Sequence, residues 1–438
     1  MNFRTLKTIL KYLLRFILFI LIVVFILFFA APIWRNLVTY PRMDKAVSEF
    51  NSLRIEQPLL TGLNLYRGII HSHSYWSHDS EGTLNEIIPA AKHNGIDFIF
   101  LTDHPRSSQD TFPRGYNGFY DGVLIQPGSE RGKLGVWPLD SAVIDWKTDI
   151  DTLIKNVVSD GGLVVYLHTE ESHNWDNPYY QGFEIYNIHT DIKDEKRLAP
   201  HIANFVVNGK KYRRWALREV FDEQTEILAL WDSLNSRRKI FGYTAADTHE
   251  NMNIRARKLD DGRIQWMGPN AKPFDTVSVN FWNRWLFSEP DASGWVFKFM
   301  IDTYEEGFNY STNYVFADSL SLSSITEHIK EGHLYTAFKS LGDAKGFFYW
   351  AQNATAKTSG ILGDSVHIEQ AVSLHAISPL AGQFRLIRNG KIIDKSSKES
   401  YTYIWDKPIE KGNYRIEIHI SLNNRRIPWL YTNPIYIY

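Results

Sequence analysis

The sequence predicts an α/β protein: a TIM-like (β/α) barrel, preceded by one transmembrane helix and followed by a small β-sandwich domain. Three observations support this prediction. Apolar strands alternate with helices over residues 63–338, several of these strands end in His, Asp or Glu, and the hydrophobic period changes to two near Lys345. Strands that alternate with helices form parallel sheets, and (β/α) barrels carry their functional side chains at the strand C-termini.

Composition and charge narrow the class of protein. A chain of 438 residues is too long for one small domain, so two are expected. The formal net charge of −1 argues against a dedicated polyanion binder, and no nucleic-acid partner is expected. Because the sequence contains no cysteine, any metal must be held by His, Asp and Glu. The oligomeric state is left open.

The N-terminus predicts the membrane attachment. Residues 16–34 carry no charge and are numerous enough to cross a hydrocarbon core of ~30 Å as a helix. Basic residues are denser before this run than after it, which favours a cytoplasmic tail at 1–15 and an exported body. We expect an uncleaved, single-pass anchor in the cytoplasmic membrane and a helical, polar linker at 35–62. The alternative is a cleaved signal peptide with Ala30-Ala31 near the cleavage site.

The first candidate motif follows the first predicted strand of the body, at 63–70. That strand runs into His71-Ser72-His73, and residues two apart on a strand point to the same side. Two imidazoles facing one volume form half of a metal site. Asp79 lies on the following loop and can fold back as an oxygen ligand. Two surface histidines on an edge strand would have the same local pattern, so the pair alone is a weak signal.

The following strands strengthen the signal because each of them leads into similar residues. A helix is expected at 84–95, with Thr83 as N-cap and Glu86 at the capping-box position. Four further strands each run into His, Asp or Glu: 96–101 into Asp103 and His104, 122–127 into Glu130, 162–167 into His168, and 239–246 into Asp247 and His249. A strand at 182–187 and helices at 148–158 and 217–235 complete the predicted alternation.

The last third of the chain is less regular. We expect the aromatic run at 277–286 to pack in the core, with a stacking platform for sugar rings as the alternative. A helix is expected at 323–331 and a final barrel strand at 333–338. Asn389-Gly390 lies between two short apolar runs, which is a strong hairpin signal. The predicted domains are therefore a barrel at 63–341 and a β-sandwich at 342–438.

Together these motifs resemble the polymerase-and-histidinol-phosphatase (PHP) superfamily. The spacing of Ser77-His78-Asp79-Ser80 resembles its carbaryl-hydrolase-like branch. The resemblance covers about residues 63–338 and implies a distorted seven-stranded barrel, with two or three divalent metal ions at the C-terminal ends of the strands. One departure concerns the first loop, where Ser80-Glu81-Gly82 stands in place of the Asp-Gly pair of many relatives.

The resemblance implies a set of imidazole and carboxylate metal ligands: His71, His73, Asp79, His104, Glu130, His168, Asp247 and His249. Within this set Glu130 would bridge two metals. Glu130 and His168 are also expected to act in catalysis. Asp103 is expected to fix the tautomer of His104, and Arg106 or Arg131 to clamp a phosphate.

The ligand types indicate the chemistry. Mixed imidazole and carboxylate ligands suit Zn, Mn or Fe(II) without selecting among them. Two close metals lower the pKa of a bridging water and stabilise the oxygens of an in-line displacement. We therefore expect a membrane-anchored, metal-dependent hydrolase that attacks small phosphorylated substrates with a metal-bridging hydroxide. The alternatives are a carboxylic ester or carbamate hydrolase and a non-catalytic envelope-binding protein.

The remaining histidines match no motif and are expected on the surface or in packing: His78, His93, His173, His189 and His201. Among them His173 is the first candidate for an exception. Glu184 lies on a predicted strand and is expected to have a structural role.

Overall fold

The structure is a computed structural model of the chain. It describes residues 3–58, 60–105, 114–138, 147–196, 198–268, 272–300, 302–423 and 425–438. Arg106, one of the two expected phosphate clamps, lies outside the described residues.

The chain begins with a long apolar helix. Helix α1 (Phe3–Trp34) continues through a π-helical turn (Arg35–Thr39) into α2 (Tyr40–Ser52). Within the described residues this is the one helix that is long and apolar enough to span a membrane. The apolar side chains of α1 are exposed, as those of a lipid-facing helix would be. In contrast, α2 buries Tyr40 and Val47, so part of the predicted linker packs onto the body.

Strands and helices then alternate. The strands are β1 (Asn64–Ser72), β2 (Phe98–Phe100), β3 (Gly118–Tyr120), β4 (Val123–Gln126), β5 (Ser129–Arg131), β6 (Leu134–Trp137), β7 (Leu163–Tyr166), β8 (Gly182–Asn187) and β9 (Phe241–Thr248). The helices are α3 (Leu84–His93), α4 (Ile150–Ser159), α5 (Ile188–Asp194), α6 (Leu198–Asn208), α7 (Arg213–Arg218) and α8 (Thr225–Asn235). The mixed α/β class is thus confirmed, and the capping box of Thr83 and Glu86 is present at the start of α3.

Strand β1 has two parallel neighbours and is antiparallel to residues 313–317 later in the chain. This strand pairs with β2 and, through its C-terminal half, with β9, while β2 pairs with β4, β7 with β8, and β8 with β9. An isolated parallel bridge joins Asp103, just beyond β2, to Ser129 in β5. The C-terminal ends of these strands therefore meet on one side. Closure into a seven-stranded barrel stays a prediction.

Antiparallel pairings depart from the predicted parallel sheet: β3 is antiparallel to β4, and a further hairpin contains Glu130. Strands β5 and β6 are antiparallel, and β6 is also antiparallel to β7. The hairpin turns at Gly132 and Lys133, whose φ angles of 59° and 67° are both positive, as a tight two-residue turn requires. The turn directly follows the strand end that carries Glu130, and it returns the chain towards β7.

The apolar core lies beneath the strand ends. One buried cluster includes Ile70, Phe98, Phe100 and Leu167. Strand β1 lies close against β2 at Gly68, because a Cβ atom there would be 1.9 Å from the Phe98 ring. Any larger residue at position 68 would push the two strands apart and move the polar residues that follow them.

The prediction of one long helix at 217–235 is wrong over its first residues. The structure has two helices instead, α7 and α8, with non-helical chain at 219–224. The carboxylate of Asp191 accepts hydrogen bonds from the backbone amide of Asp222 and from the side chain of Gln224. These contacts hold the connection in a loop.

After β9 the chain adds a small antiparallel sheet. Its strands are β10 (Ile254–Lys258), β11 (Ile264–Met267), β12 (Pro273–Val277) and β13 (Trp295–Phe299), in the order β12-β11-β10-β13. The prediction that the aromatic run at 277–286 packs in the core is wrong. Phe281, Trp282 and Trp285 are 67%, 81% and 75% exposed, because other residues fill the small core of this sheet.

The rest of the chain is rich in antiparallel strands. Two helices remain, α9 (Tyr304–Tyr310) and α10 (Leu322–Lys330), and the strands are β14 (Thr312–Ala317), β15 (Leu334–Ala337), β16 (Phe348–Gln352), β17 (Thr358–Ile361), β18 (Ser365–Val366), β19 (Ser373–Arg388), β20 (Lys391–Lys395), β21 (Ser400–Trp405), β22 (Gly412–Leu422), β23 (Arg425–Thr432) and β24 (Ile435–Ile437). The hairpin at Asn389-Gly390 is confirmed. Strand β15 pairs with β23, so pairing continues across the predicted domain boundary. That boundary and the β-sandwich stay predictions.

Candidate metal centre

Five strand ends bring polar side chains to one place. His71 lies near the end of β1 and His73 directly follows it, and Asp103 and His104 follow β2. Glu130 lies in β5, and His168 follows β7. Asp247 lies near the end of β9, and His249 directly follows it. The backbone is strained here, since φ is 69° at His71, 50° at His168 and 45° at Asp247. Non-glycine residues rarely adopt this left-handed region, and such strain collects at functional sites.

The tightest group of atoms consists of Nε2 of His71, Nε2 of His73, Oε2 of Glu130 and Oδ1 of Asp247. Nε2 of His71 lies 2.9 Å from the Glu130 oxygen, 3.1 Å from the Asp247 oxygen and 3.2 Å from Nε2 of His73. Nε2 of His73 lies 3.3 Å from each of the two oxygens. Ligand atoms at ordinary zinc distances from one cation are separated by about 3–3.5 Å. The group therefore has the dimensions of a single divalent metal site.

The two carboxylates also contact a second group of imidazoles through their other oxygens. Oε1 of Glu130 lies 3.2 Å from Nε2 of His168. Oδ2 of Asp247 lies 3.0 Å from Nδ1 of His189 and 4.0 Å from Nε2 of His168. Each carboxylate thus divides its oxygens between two adjacent groups, which is the arrangement of a bridging ligand.

A third and looser group lies nearer the surface. Oδ2 of Asp79 is 3.5 Å from Nε2 of His249 and 3.7 Å from Nε2 of His104. The rings of His73 and His249 stack at 3.7 Å between centroids, which joins this group to the first one. The side chains of Asp79 and His104 are 19% and 24% exposed, whereas those of His71 and His73 are fully buried. The centre therefore opens to solvent on the side of Asp79 and His104.

The second nitrogen of most of these imidazoles contacts a protein oxygen. Nδ1 of His71 lies 2.5 Å from Oε1 of Glu184, and Nδ1 of His249 lies 2.9 Å from the carbonyl oxygen of Asp247. Nδ1 of His104 lies 3.2 Å from the carbonyl oxygen of Glu130. Metal-binding histidines characteristically donate from their other nitrogen to such an acceptor, which fixes the ring and its tautomer. The contacts leave Nε2 of each ring facing the cluster.

Glu184 is the residue that connects several of these contacts. Its carboxylate faces His71 and also accepts hydrogen bonds from the backbone amide of His168 at 2.7 Å and from the hydroxyl of Tyr243 at 3.2 Å. It thereby contacts the side chain of His71 and the backbone of His168, and the structural role expected from the sequence stays a prediction.

Asp103 does not have the partner expected from the sequence. Its carboxylate accepts hydrogen bonds from the backbone amide of Ser74 at 2.6 Å and from the Ser74 hydroxyl at 2.8 Å. Nδ1 of His104 faces the Glu130 carbonyl oxygen instead. Asp103 therefore holds the loop that leads from His73 to Asp79, because the chain turns back over β2 at Ser74.

His189 was expected on the surface or in packing, but the structure places it against Asp247 in the candidate metal centre. It lies in the first turn of α5 and contacts Asp247 through Nδ1. The side chain of Asn187 accepts a hydrogen bond from its backbone amide at 2.8 Å and sets the start of that helix. A signal was available, because His189 follows the predicted strand at 182–187 by two residues and lies at the same edge as the motifs.

The other candidates contribute no ligand atom to the three groups, although the ring of His78 lies 5.1 Å from that of His104. His173 stacks on Tyr166 and faces the carbonyl oxygen of His168, and His201 pairs with Glu195. The remaining three are exposed: His78, His93 and Arg131.

The electrostatics of the centre reflect a concentration of buried charge. Burial raises the pKa of Glu130 and Asp247, but the neighbouring imidazoles, His71 first, outweigh it and hold both values well below their usual range. Burial lowers the pKa of His73 and His168, yet the carboxylates raise both to about 9. Burial and the charge of His73 lower the pKa of His249 to about 3. Protons on imidazoles thus balance these carboxylates.

Metal ions fit this donor set. The Oε2 atom of Glu130 is buried and has no hydrogen-bond partner among the described residues, although Nε2 of His71 is only 2.9 Å away. Buried carboxylate oxygens are normally hydrogen-bonded, and a metal ion would satisfy this one. Imidazole and carboxylate donors at these separations suit Zn, Mn or Fe.

Comparison with known proteins gives little. No family model and no curated protein matches the chain. One solved structure that is similar to it is a two-domain protein from Bacteroides vulgatus ATCC 8482 containing a predicted PHP-like metal-dependent phosphoesterase. The identity is 13%, the similarity covers 87% of this chain and 99% of that one, and the TM-score is 0.37.

Proposed function

We propose that the chain is a membrane-anchored, divalent-metal-dependent hydrolase of the PHP superfamily that cleaves phosphate esters. The observation that carries this proposal is the pair of carboxylates, Glu130 and Asp247, each of which divides its oxygens between two imidazole groups. Two cations held there would supply a water of lowered pKa and positive charge opposite the attacking and leaving oxygens.

The chain's own residues would divide the work as follows. His71 and His73 would hold one cation together with an oxygen from each carboxylate, and His168 and His189 would hold another with the remaining oxygens. Asp79, His104 and His249 would hold a further cation on the side of the centre that meets solvent. Glu184 fixes the orientation of His71 and the backbone of His168. The substrate would enter on the side of Asp79 and His104, where the ligands are partly exposed.

Phosphate esters suit this centre better than the alternatives. A phosphoryl group presents several anionic oxygens, so it can contact more than one cation at once. A carboxylic ester or carbamate presents a single carbonyl oxygen and would use only part of the donor set. A non-catalytic envelope-binding role would need neither the divided carboxylates nor the strained backbone at their strand ends.

The test uses the full chain, purified in detergent without chelator and supplied with Mn²⁺ or Zn²⁺. We expect hydrolysis of an aryl phosphate that is abolished by chelation and restored by metal. Glu130→Gln should lose metal and activity together, because an amide cannot replace a bridging carboxylate. His93→Ala is the matched control on an exposed histidine with its own carboxylate partner, Glu305, and should change neither.

Other outcomes would redirect the assignment. Cleavage of an aryl carboxylic ester or carbamate with no cleavage of any phosphoester would make the chain an esterase on the same site. If the chain binds metal but hydrolyses neither phosphoesters nor carboxylic esters or carbamates, the non-catalytic envelope-binding role is favoured. If Glu130→Gln and His93→Ala lose metal equally, the ligand assignment fails.

The anchor is a separate part of the proposal. Its support is α1, whose apolar side chains are exposed along the run between residues 16 and 34. We expect the full chain to stay in membranes through an alkaline carbonate wash and a reporter fused after Tyr438 to be active outside the cytoplasm. A cytoplasmic reporter signal would reverse the topology.

A further inference from the structure

A cavity of about 530 Å³ lies where the apolar helix leaves its span. Its walls come from the end of α1, from α2 and α7, and from the β22–β23 hairpin near the C-terminus. Cavities of this size commonly take small ligands. It shares no lining residue with the candidate metal centre.

The position of the cavity is set by contacts between α1 and α6. The carbonyl oxygen of Pro32 accepts a hydrogen bond from the side chain of Asn208 at 3.0 Å, and the side chain of Asn36 donates to Asn208 at 2.9 Å. Ala31 and Trp34, which belong to the apolar run, form part of the cavity wall. In a membrane-anchored chain this wall lies at the boundary between hydrocarbon and headgroups.

The surface beside the cavity agrees with that position. Helix α6 exposes Ile202 and Val206, which are four residues apart and lie on one face of the helix. Lys210 and Lys211 follow directly and are exposed. Apolar side chains next to lysines are characteristic of segments that rest in a membrane interface.

The charge of the cavity is strongly positive. Four arginines and one carboxylate line it: Arg35, Arg218, Arg425, Arg426 and Glu219. The carboxylate pairs with Arg35 at 2.9 Å. Within the part of the chain that the structure describes, the other three arginines form no ion pair. Arg425 and Arg426 are exposed at the rim.

The guanidinium of Arg218 is the feature of the cavity that most strongly favours an anionic ligand. Both terminal nitrogens of its guanidinium are buried and have no hydrogen-bond partner among the described residues. The group stacks on the ring of Phe221 at 3.6 Å and near that of Phe338 at 4.5 Å. A guanidinium away from water is costly unless a negative charge lies near it.

We propose that this cavity binds the headgroup of an anionic phospholipid from the leaflet that faces the body. The lipid phosphate would lie among the arginines, and the start of its acyl chains against Trp34, Met43 and Ile427, which form the apolar part of the wall. Basic pockets beside transmembrane helices bind anionic lipid headgroups in this way. The inference rests on the anchor in the proposed function, because only a membrane brings lipid to this position.

The experiment counts lipids bound to the full chain in detergent. The chain is titrated with phosphatidylglycerol and, separately, with phosphatidylcholine, and retained lipids are counted by native mass spectrometry. We expect selective retention of one phosphatidylglycerol. An Arg425→Gln/Arg426→Gln double variant should bind it about tenfold more weakly, because basic side chains near the headgroup supply the attraction.

The control removes the same charge elsewhere. Arg257→Gln/Arg263→Gln changes two exposed arginines on the β10–β11 hairpin and should bind phosphatidylglycerol as the unchanged protein does. Equal retention of the two lipids, or undiminished binding by the Arg425/Arg426 variant, would overturn the inference. So would displacement of the lipid by glycerol phosphate at equal concentration, since the occupant would then be a soluble phosphate.

Failure of this inference can be distinguished from failure of the proposed function. If the chain resists carbonate extraction and hydrolyses the aryl phosphate but shows no lipid preference, the lipid site alone is wrong. If carbonate releases the chain from membranes, the anchor is wrong, and the lipid site falls with it while hydrolysis stands.

Discussion

Two buried charged clusters in the described part of the chain differ in what balances their charge. The strand-end cluster consists of His71, His73, Glu130 and Asp247. The second cluster lies between α8 and β22 and is called the interface cluster. It consists of Asp232 from α8 with Arg415, Glu417 and His419 from β22. Both are withdrawn from water. The first is built from carboxylates and imidazoles alone, whereas the second contains a guanidinium.

The interface cluster supplies its own cation. Arg415 donates to both carboxylate oxygens of Asp232 at 2.7 Å each, and through its third nitrogen to Glu417 at 2.7 Å. In the strand-end cluster the only positive charges are protons on imidazoles, and one buried carboxylate oxygen has no hydrogen-bond partner among the described residues. Buried charge alone therefore does not indicate function. A donor set that lacks a permanent cation is compatible with a metal ion, whereas Arg415 already balances Asp232 and Glu417 in the interface cluster.

The largest expected effect comes from breaking the strand-end cluster. Asp247→Asn should remove metal and lower phosphoesterase activity by about a thousandfold or more, because the bridging oxygens of one carboxylate are lost. Elemental analysis and aryl phosphate hydrolysis measure the two effects. The folded state should persist, as judged by circular dichroism. Asp176→Asn, on an exposed partner of Arg237, is the control and should leave both unchanged.

The second largest effect is expected from breaking the interface cluster, which should lower the free energy of unfolding and leave the activity per folded chain unchanged. Arg415→Met leaves Asp232 and Glu417 buried without their counter-charge, which destabilises by roughly 3–5 kcal/mol. Urea unfolding in detergent measures this loss, and metal content per folded chain should stay the same. Arg237→Met removes an exposed pair and should destabilise by less than about 1 kcal/mol. Loss of metal in Arg415→Met would show that the two clusters are coupled.

A pH titration separates the clusters further through Glu417. Burial would raise its pKa, but Arg415 and His419 outweigh burial and lower it from 4.5 to about 2. A folded pKa below the unfolded one adds stability that is complete above the unfolded value and is lost as the pH falls towards 2. The contribution of Glu417 to the free energy of unfolding should thus drop by about 3 kcal/mol over that window. Glu417→Gln should lack this part of the pH dependence.

The smallest effect sharpens the role of Glu184. Glu184→Gln keeps the size of the side chain but removes the charge that faces Nδ1 of His71. Metal affinity should fall by roughly 10–100-fold, while the metal stoichiometry at saturation stays unchanged. A metal titration followed by hydrolysis measures this. If Glu184→Gln instead lowers the saturating stoichiometry, Glu184 is a ligand and the structural role expected from the sequence is wrong.

The candidate ligands also show which parts of the site can be predicted from local sequence patterns. Most candidate ligands follow short apolar strands directly, so local alternation places them at one edge. Asp247 and His249 were found in this way although they lie far along the chain from His71. His189 was not, although it follows the predicted strand at 182–187 by two residues, and the packing of α5 against β9 brings it to Asp247.

Two other errors have the same origin. Asp103 is adjacent to His104 in the chain, but the loop at Ser74 competes for its carboxylate and lies closer in space. The aromatic run at 277–286 has the composition of a core segment, yet it connects two strands, β12 and β13, of a small sheet whose interior other residues fill. Neither competition is visible in local sequence, since both depend on segments that are distant in the chain.

What the sequence determined by itself is therefore local: the apolar helix, the alternation of strands and helices, the hairpin at Asn389-Gly390 and the residue types at each strand end. Each follows from a short-range physical rule of length, period or turn geometry. Only the tertiary structure decided which oxygens of Glu130 and Asp247 face which imidazoles, that Glu184 orients His71, and that Arg415 neutralises Asp232 across elements 183 residues apart. Those pairings depend on separations of about 3 Å between atoms of segments that are distant in the chain. Hydrogen bonds and ion pairs are strongest at such short distances.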